Sequence, residues 1–218
     1  MSMTGPDIIY GHFPGLTGEQ KRQMELLYPL YMEWNEKINV ISRKDCDMLY
    51  LHHVLHSLAI AKYMEENSIR ACSIIDTGCG GGFPGIPLAI LFPHIRFTLC
   101  DSIAKKIKVA AGIAKAINAV NVETVCCRTE SLHSRYDYAV SRAVTSLRKL
   151  IPMTGHLYEK GMICLKGGSV ADEIRECTST LRIPAETFTT VKISKWFEEE
   201  FFSEKFVIFA KSTTFALP

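Results

Sequence analysis

A run of glycines between two apolar segments is the part of this sequence that most clearly points to chemistry. The segment "SIIDTGCGGGFPGIPLAI" spans residues 73–90 and places Gly78, Gly80 and Gly82 shortly after Asp76. Glycine adopts positive φ readily and has no side chain, so the backbone of such a loop can approach a ligand closely. The carboxylate at the start of the loop favours a ligand that presents a cation or hydroxyl groups.

A second acid, Asp101, ends the next strand-like segment, "IRFTLC", where an acid that binds ribose hydroxyls belongs in a dinucleotide-type βα unit. Residues 80–85, "GGGFPG", also fit G-x-G-x-x-G, so nicotinamide and S-adenosylmethionine (SAM) both remain candidate ligands. Asp76 favours SAM, because it suits the ammonium of methionine and would crowd a pyrophosphate. Pro84 and Pro87 favour SAM too, since they remove amide donors that a phosphate would use. A tight turn without a ligand is the third alternative.

The elements that must position these residues alternate along the chain. Seven strand-like segments follow residue 70, and helical patterns such as "SIAKKIKVAAGIAKAIN" separate the first of them. The last two segments, "ETFTTVKI" and "KFVIFAK", have no helix-length stretch between them and are expected to pair antiparallel. This order predicts an α/β fold with a doubly wound, mostly parallel, seven-stranded sheet.

The N-terminal part of the chain has a purely helical pattern. Apolar spacing predicts a helix over residues 17–38, with a capping box formed by Thr17 and Gln20, and a second helix over residues 46–66. We therefore predict two domains. Residues 1–68 form an N-terminal helical cap, and residues 69–218 form the α/β domain.

Composition limits the classes of function. The chain has 218 residues and a net charge of +2, so any contact with a polyanion must come from a local patch. No apolar stretch reaches the ~18 residues of a membrane-spanning helix, and the N-terminus has no secretory signal pattern. The eight cysteines form no C-x-x-C pair, which favours reduced thiols over a disulfide or zinc framework. These features predict a cytoplasmic protein without membrane contact.

Several segments together resemble one protein family. The loop "DTGCGGGFPGIPLAI" resembles that of the bacterial small-subunit ribosomal RNA guanine-N7 methyltransferases, also called glucose-inhibited division protein B. The segments "WNEKINVIS", "HHVLHSL", "CDSIAKK", "CRTES", "VSRAVTSL" and "CLKGG" resemble other motifs of that family and follow in the same order. The resemblance covers about residues 20–210, and its specificity lies in the combination.

The resemblance implies a class I SAM-dependent methyltransferase fold over residues 69–218, with a helical cap. It implies that SAM donates a methyl group to N7 of a guanosine in 16S rRNA, namely guanosine 527 of the 530 loop. The implied partner is 16S rRNA within the 30S particle, and we expect a monomer. Two alternatives stay open, an NAD(P)-dependent oxidoreductase and a non-catalytic RNA-binding or ribosome-assembly protein with the same fold.

The resemblance also implies roles for individual residues. Asp101 would hold the ribose hydroxyls, and Thr129 and Glu130 would lie near the adenine. Arg142, in "SRA", would line the methyl-transfer pocket and is the predicted catalytic residue. The motifs and the glycine loop together give the predicted cofactor-binding set: Asp76, Gly78, Gly80, Phe83, Asp101, Thr129, Glu130 and Arg142.

Basic residues near the ends of the fourth and fifth strands are candidates for RNA contact. Arg148 and Lys149 follow the fourth strand, and arginine forks match phosphate oxygens. Lys166 ends the fifth strand, where an RNA contact and a helix-capping role are equally compatible with the sequence. We predict Arg148, Lys149 and Lys166 as RNA-binding residues.

The histidine cluster at residues 52–56 raises the question of a metal site. His52 and His56 have i, i+4 spacing, but H-E-x-x-H would need a glutamate where His53 stands. We therefore expect core or interface histidines and no metal. His56 replaces an aspartate that many members of the resembled family carry, so it receives no catalytic role. Cys79 in the glycine loop has no neighbouring base and is interpreted as a small space-filling residue.

Overall fold

Seven strands form a single sheet in the computed structural model, which describes residues 5–142 and 144–212. The strand order is β3-β2-β1-β4-β5-β7-β6. The first five strands run parallel, and β7 pairs antiparallel with both β5 and β6, which confirms the predicted doubly wound α/β sheet. The bounds are β1 Ser73–Thr77, β2 Arg96–Asp101, β3 Val122–Cys126, β4 Tyr136–Arg142, β5 Tyr158–Gly167, β6 Phe188–Lys192 and β7 Lys205–Lys211.

Seven α-helices surround the sheet in the described part of the chain. The predicted capping box is present, since the Thr17 side chain accepts from the Gln20 amide and the Gln20 side chain accepts from the Thr17 amide. None of the described helices combines the length and apolar character needed to cross a bilayer. The bounds are α1 Asp7–His12, α2 Gly18–Lys37, α3 His56–Glu66, α4 Gly85–Leu91, α5 Ala104–Ala116, α6 Leu147–Thr154 and α7 Val170–Leu181.

The second predicted helix differs from the expectation. Residues 46–66 consist of a 3₁₀ turn at Cys46–Met48, a π-helix at Leu49–Leu55 and then α3. Apolar spacing does not distinguish a π-helix from an α-helix, because both bury one side of the segment. π-helical turns are rare and concentrate at functional sites. This one carries His52 and His53 toward the end of β4.

Two apolar cores flank the sheet, and alternate residues of each strand feed them. On β1, Ile74 packs into the first core and Ile75 into the second. The first core also contains Met24 of α2 and Leu58 of α3, so the N-terminal helices share it with α4 and α5. The division into a cap and an α/β domain at residue 68 stays a prediction.

The connection between β6 and β7 covers the start of α3. Phe197 and Phe202 are fully buried there, and both belong to the first core. The rings of Phe201 and Phe202 pack against His56 with centroid distances of 5.7 and 5.9 Å. This connection therefore lies at the carboxyl end of β5, where β7 begins.

Candidate active site

A cleft of about 420 Å³ opens at the carboxyl ends of β1, β2 and β4. This edge is where ligands bind in doubly wound sheets, because the loops that follow parallel strands meet there. Seven of the eight residues in the predicted cofactor-binding set line the cleft: Gly78, Gly80, Phe83, Asp101, Thr129, Glu130 and Arg142.

The glycine loop forms one wall of the cleft and is fixed by backbone hydrogen bonds. The amides of Gly78 and Cys79 both donate to the carbonyl oxygen of Cys100, at 2.8 and 3.0 Å. Gly78 has φ +72°, and a Cβ built on it would lie 2.6 Å from Cγ2 of Val144. A side chain at this position would therefore be strained and would also intrude between the loop and the β4–α6 connection.

Asp101 connects the glycine loop to the start of α5. Its Oδ2 accepts from the Gly80 amide at 3.0 Å, and its Oδ1 accepts from the Ile103 amide at 2.9 Å. These bonds fix the carboxylate at the cleft wall, and each oxygen can accept a further hydrogen bond. Asp101 ends β2, as the sequence pattern predicted, and helix α5 begins at Ala104.

Asp76 is the one residue of the predicted set that does not line the cleft. It is fully buried behind the loop, where its Oδ2 accepts from the Gly85 amide at 2.8 Å. Its Oδ1 is buried and has no hydrogen-bond partner among the described residues. Burial raises the pKa of Asp76 to about 7, although the Gly85 hydrogen bond and the charge of Arg142 oppose that shift. Direct contact between this carboxylate and a ligand's ammonium stays a prediction.

A stack of side chains joins the N-terminal helices to the cleft. Tyr31 of α2 donates its hydroxyl to the Gly81 carbonyl at 2.9 Å and stacks on Phe83, with ring centroids 4.7 Å apart. The Arg142 guanidinium carbon lies 4.9 Å from the centroid of Phe83. Apolar spacing predicts only the helix that carries Tyr31, and nothing in that local spacing indicates this contact.

Arg142 ends β4 and contacts the π-helix. It donates to the carbonyl oxygen of His52 at 3.3 Å and lies 3.0 Å from Nδ1 of His53. Burial, followed by the charge of Arg142, lowers the pKa of His53 to about 3, so this imidazole is neutral and its Nδ1 can accept. Burial lowers the pKa of Arg142 to about 10, which leaves it cationic at neutral pH.

Thr129 and Glu130 lie at the other end of the cleft, in a short 3₁₀ turn, Thr129–Ser131, that follows β3. Several lining residues nearby were not singled out from the sequence, although each follows directly on a strand or a strand-end loop. Ile103 and Val144 are large apolar residues that are 40% and 41% exposed. The others in this group are Ser102, Cys127 and Arg128.

The predicted RNA-binding residues lie outside the cleft. Arg148 pairs with Glu176 at 3.0 Å near the surface, and Lys149 is exposed. Lys166 is the least accessible, because its ammonium donates to the Thr145 carbonyl and to Glu173 Oε1, at 2.7 Å for the carboxylate. An RNA contact by Lys166 would have to form beside this ion pair.

The remaining candidates for chemistry are the cysteines and the histidine cluster. Cys79 is enclosed, and burial raises the pKa of its thiol well above the usual range, so it is not a thiolate at neutral pH. All eight cysteines are unpaired. In the described residues, no three histidine, cysteine or acidic side chains form a group that could hold a metal ion.

Solved structures with the same fold include methyltransferases. The magnesium protoporphyrin IX methyltransferase of Synechocystis PCC 6803, solved with bound SAM, aligns with a TM-score of 0.58 and 12% identity, over 91% of this chain and 99% of that one. A T. thermophilus 16S rRNA N2 methyltransferase, solved with AdoMet and guanosine, aligns with a TM-score of 0.52 and 14% identity, over 73% of this chain and 42% of that one. These likenesses show that the chain has the fold of the class I SAM-dependent methyltransferases.

Sequence comparison gives the family. The model described as rRNA small subunit methyltransferase G matches residues 20–199. Relatives named ribosomal RNA small subunit methyltransferase G include one from Porphyromonas gingivalis, 45% identical over 94% of this chain and 93% of the relative. Another, from Flavobacterium johnsoniae, is 45% identical over 93% of this chain and 96% of the relative. The chain belongs to this family, and the oxidoreductase and non-catalytic alternatives are not retained.

Proposed function

We propose that this enzyme methylates N7 of a guanosine in 16S rRNA, guanosine 527 of the 530 loop, within the 30S particle. The relatives' names support small-subunit rRNA as the substrate. The observation that carries the choice of N7 is the contact between Arg142 and His53, in which the guanidinium lies 3.0 Å from Nδ1 and occupies the acceptor of the nearest imidazole. N7 has an in-plane lone pair and no proton, so its methylation needs no general base.

Three titratable groups near Arg142, namely His53, Cys79 and Asp76, are poorly placed to act as a base. The pKa of His53 lies at about 3, and its Nδ1 is already engaged by Arg142. The pKa of Cys79 lies well above its usual range. Asp76 has a pKa of about 7, but it is buried behind the glycine loop and does not line the cleft. A methyl acceptor without a proton to lose fits these surroundings.

The cleft fits SAM on two counts. Gly78 lines the cleft with backbone alone, and a Cβ there would lie 2.6 Å from Val144, which lines the same cleft. Asp101 lines it with a carboxylate whose two oxygens can each accept a further hydrogen bond. When bound, SAM supplies a sulfonium methyl group, which forms a bond to N7 as the carbon–sulfur bond breaks and its electron pair stays on sulfur, leaving S-adenosylhomocysteine and a cationic base. Asp101 would accept from the ribose hydroxyls, and Gly78, Gly80 and Phe83 would contact the cofactor. Thr129 and Glu130 would lie near the adenine.

The work of the chain is then positioning and charge control. Arg142 would hold the acceptor base or its phosphate near the end of β4, and its own contacts with His52 and His53 fix the guanidinium. Holding nucleophile and methyl group in line can supply several kcal/mol, up to ~7–11 in well-aligned systems. Arg142 takes no proton in this scheme, because it stays cationic at neutral pH.

The test is methyl transfer from labelled SAM to 30S subunits and to naked 16S rRNA, followed by mapping of the modified base. We expect one 7-methylguanosine in the 530 loop and a single-turnover rate that is nearly flat from about pH 6.5 to 9. A methyl group on another atom, or a rate that rises tenfold per pH unit, would contradict the N7 assignment. Binding to 30S subunits without any transfer would contradict enzymatic action on this substrate.

A local basic patch completes the proposal. Arg148 and Lys149 would contact rRNA phosphates, with Lys166 behind them. Replacing Arg148 and Lys149 by glutamine should flatten the slope of log affinity against log salt by up to about one unit per lost contact. The matched control is Arg22→Gln with Lys37→Gln, which removes the same charge from exposed positions on α2. Equal slopes for both double variants would mean that Arg148 and Lys149 do not contact the RNA.

A further inference from the structure

A second pocket, of about 320 Å³, adjoins the cleft at the ends of β4 and β5. The two are neighbours because Val144 lines the cleft while the next residue, Thr145, lines the second pocket. Its size is at the lower end for small-ligand sites, which suits one base or nucleoside. Its polar wall consists of His56, Thr145, Lys166, Gly167, Glu173 and Lys205.

Glu173 is held so that one carboxylate oxygen is left over. Its Oε1 accepts from the Leu147 amide at 2.6 Å and from the Lys166 ammonium at 2.7 Å. Its Oε2 has no hydrogen-bond partner in the described part of the chain. The side chain is 19% exposed. The carboxylate is therefore oriented before any ligand binds, and its Oε2 can accept hydrogen bonds from a ligand.

Lys205 and His56 are held in place by the aromatic rings of the β6–β7 connection. The Lys205 ammonium lies 4.2 Å from the centroid of Phe201, and the His56 ring packs nearly perpendicular to the same ring, with centroids 5.7 Å apart. His56 is 9% exposed, and its Nε2 is buried without a partner among the described residues. Burial, followed by the charges of Arg142 and Lys205, lowers the pKa of His56 well below its usual range, so this imidazole is neutral.

The pocket combines one carboxylate with two ammonium groups, and this combination limits the kind of ligand that can bind. A phosphate would meet the Glu173 carboxylate, and a cation would meet the ammonium groups of Lys166 and Lys205. A neutral base that carries donors and an acceptor on one edge suits both signs. Guanine presents O6 as an acceptor beside the N1–H and N2–H donors, whereas adenine presents an amino group beside an acceptor nitrogen, which a carboxylate would repel.

We propose, on the basis of the proposed function, that this pocket receives the guanine ring of the target nucleotide after it leaves the base stack. Glu173 Oε2 accepts from N1–H and N2–H, and Lys166 and Lys205 donate to O6. Methyltransferases that act on bases extrude them into such pockets and recognise the Watson–Crick edge. N7 lies off that edge, so it stays free for the methyl donor. Glu173 is thus a specificity-determining residue.

The test combines a protein change with a substrate change. Target RNA is prepared by splinted ligation with guanosine or inosine at the modified position, because inosine keeps N7, O6 and N1–H but lacks the N2 amino group. We expect the wild type to prefer guanosine by about tenfold or more in kcat/KM, since charge-assisted hydrogen bonds are strong. In Glu173→Gln, the amide oxygen should keep the Leu147 bond and the amide nitrogen should replace Oε2. The guanosine preference should then fall below about threefold, with SAM affinity unchanged.

Two further variants serve as a charge control and as an independent test of the pocket. Asp172→Asn removes an exposed carboxylate from the same helix, where it pairs only with Arg175 in the described residues, and should keep the wild-type preference. Lys205→Met keeps the packing on Phe201 and should lower kcat/KM for guanosine about tenfold without changing SAM affinity. It also keeps the proposal testable if Glu173→Gln does not fold.

The outcomes separate this proposal from the proposed function. An unchanged guanosine preference in folded Glu173→Gln, together with wild-type kcat/KM in Lys205→Met, would overturn the pocket assignment. Equal losses for both RNAs with a smaller salt slope would identify a phosphate site and also overturn it. If the wild type methylates no rRNA, the proposed function fails, and the pocket is tested with free guanosine and adenosine in the presence of S-adenosylhomocysteine. Selective guanosine binding that Glu173→Gln abolishes would then support the pocket, and its absence would refute it.

Discussion

The cleft and the second pocket are built in different ways. The cleft wall around Gly78 depends mainly on backbone groups from residues 76–103, a single βαβ unit, with the Asp101 carboxylate accepting from two of the amides. The second pocket depends on side chains from five separate segments, with His56 and Lys205 at its extremes. A site made from one local unit is sensitive to backbone conformation. A site assembled over long sequence distances is sensitive to charge and hydrogen-bonding groups.

The largest expected effect comes from a substitution in the cleft wall around Gly78. Gly78→Val places a β-branched residue at φ +72° and directs its Cβ to within 2.6 Å of the Val144 side chain. We expect SAM affinity to fall more than about 100-fold, because left-handed strain of roughly 1–2 kcal/mol adds to the steric block. Isothermal titration calorimetry with SAM measures the loss.

The matched control is Gly168→Val. Gly168 has φ +79°, and a Cβ there meets nothing within 4 Å, so the variant carries similar strain without the clash. We expect a lower free energy of unfolding and SAM affinity within about threefold of the wild type. If both variants lose SAM affinity equally, the effect is general destabilisation and the loop assignment fails.

The next effect concerns Arg142, which lines the cleft and contacts the π-helix. Lysine has no planar fork and cannot reproduce both contacts, to the His52 carbonyl and to His53 Nδ1. We expect Arg142→Lys to lower the single-turnover rate about 100-fold, similar to the loss of one positioned donor in other enzymes. SAM affinity should change less than about fivefold. Arg22→Lys, at an exposed site on α2, is the control and should behave as the wild type.

Asp101→Asn should produce an intermediate effect on the cofactor alone. Asparagine keeps one acceptor oxygen, so it loses either the Gly80 or the Ile103 backbone bond and one acceptor for the ribose hydroxyls. We expect SAM affinity to fall about 10- to 100-fold, since hydrogen bonds to charged groups contribute roughly 1.5–3 kcal/mol. The control is Asp137→Asn, which removes a carboxylate that accepts from Cys72 and Ser73 at the opposite edge of the sheet. A loss of SAM affinity in the control that matches Asp101→Asn would contradict the ribose assignment.

The same contrast explains how far the sequence predicts this molecule. The sheet, the capping box at Thr17 and the cleft residues of the glycine loop follow from periodicity and motifs, because those signals are local. The π-helix is not predictable from apolar spacing. The contacts of Tyr31 with Phe83 and of Lys166 with Glu173 join distant or differently oriented segments, and only the fold brings them together. The complete burial of Asp76, which raises its pKa, also follows from the fold and is not evident from the sequence.

The smallest effect concerns Asp76 and the pH dependence of stability. Burial raises its pKa from the ordinary value near 4 to about 7, with Arg142 lowering and Asp101 raising it. The folded state therefore binds more protons than the unfolded state between these two values. The stability that Asp76 contributes is complete below about pH 4 and is lost as the pH rises through 7. The lowered pKa values of His53 and His56 act in the opposite direction, because the stability that these two groups contribute to the folded state is lost as the pH falls.

The difference between wild type and Asp76→Asn isolates this contribution. Chemical denaturation at a series of pH values should show the wild type losing stability relative to the variant as the pH rises from about 4.5 to 7, by at most about 1.4 kcal/mol per pH unit. The difference should be constant above about pH 8. A difference that does not vary with pH would mean that Asp76 is ionised throughout, as a carboxylate facing a fixed cation would be.

A SAM titration in buffers of different ionisation enthalpy completes the test. If the ligand's ammonium favours the charged carboxylate, binding at pH 7 should release protons in the wild type and fewer in Asp76→Asn. Equal release by both proteins would place the ammonium away from Asp76.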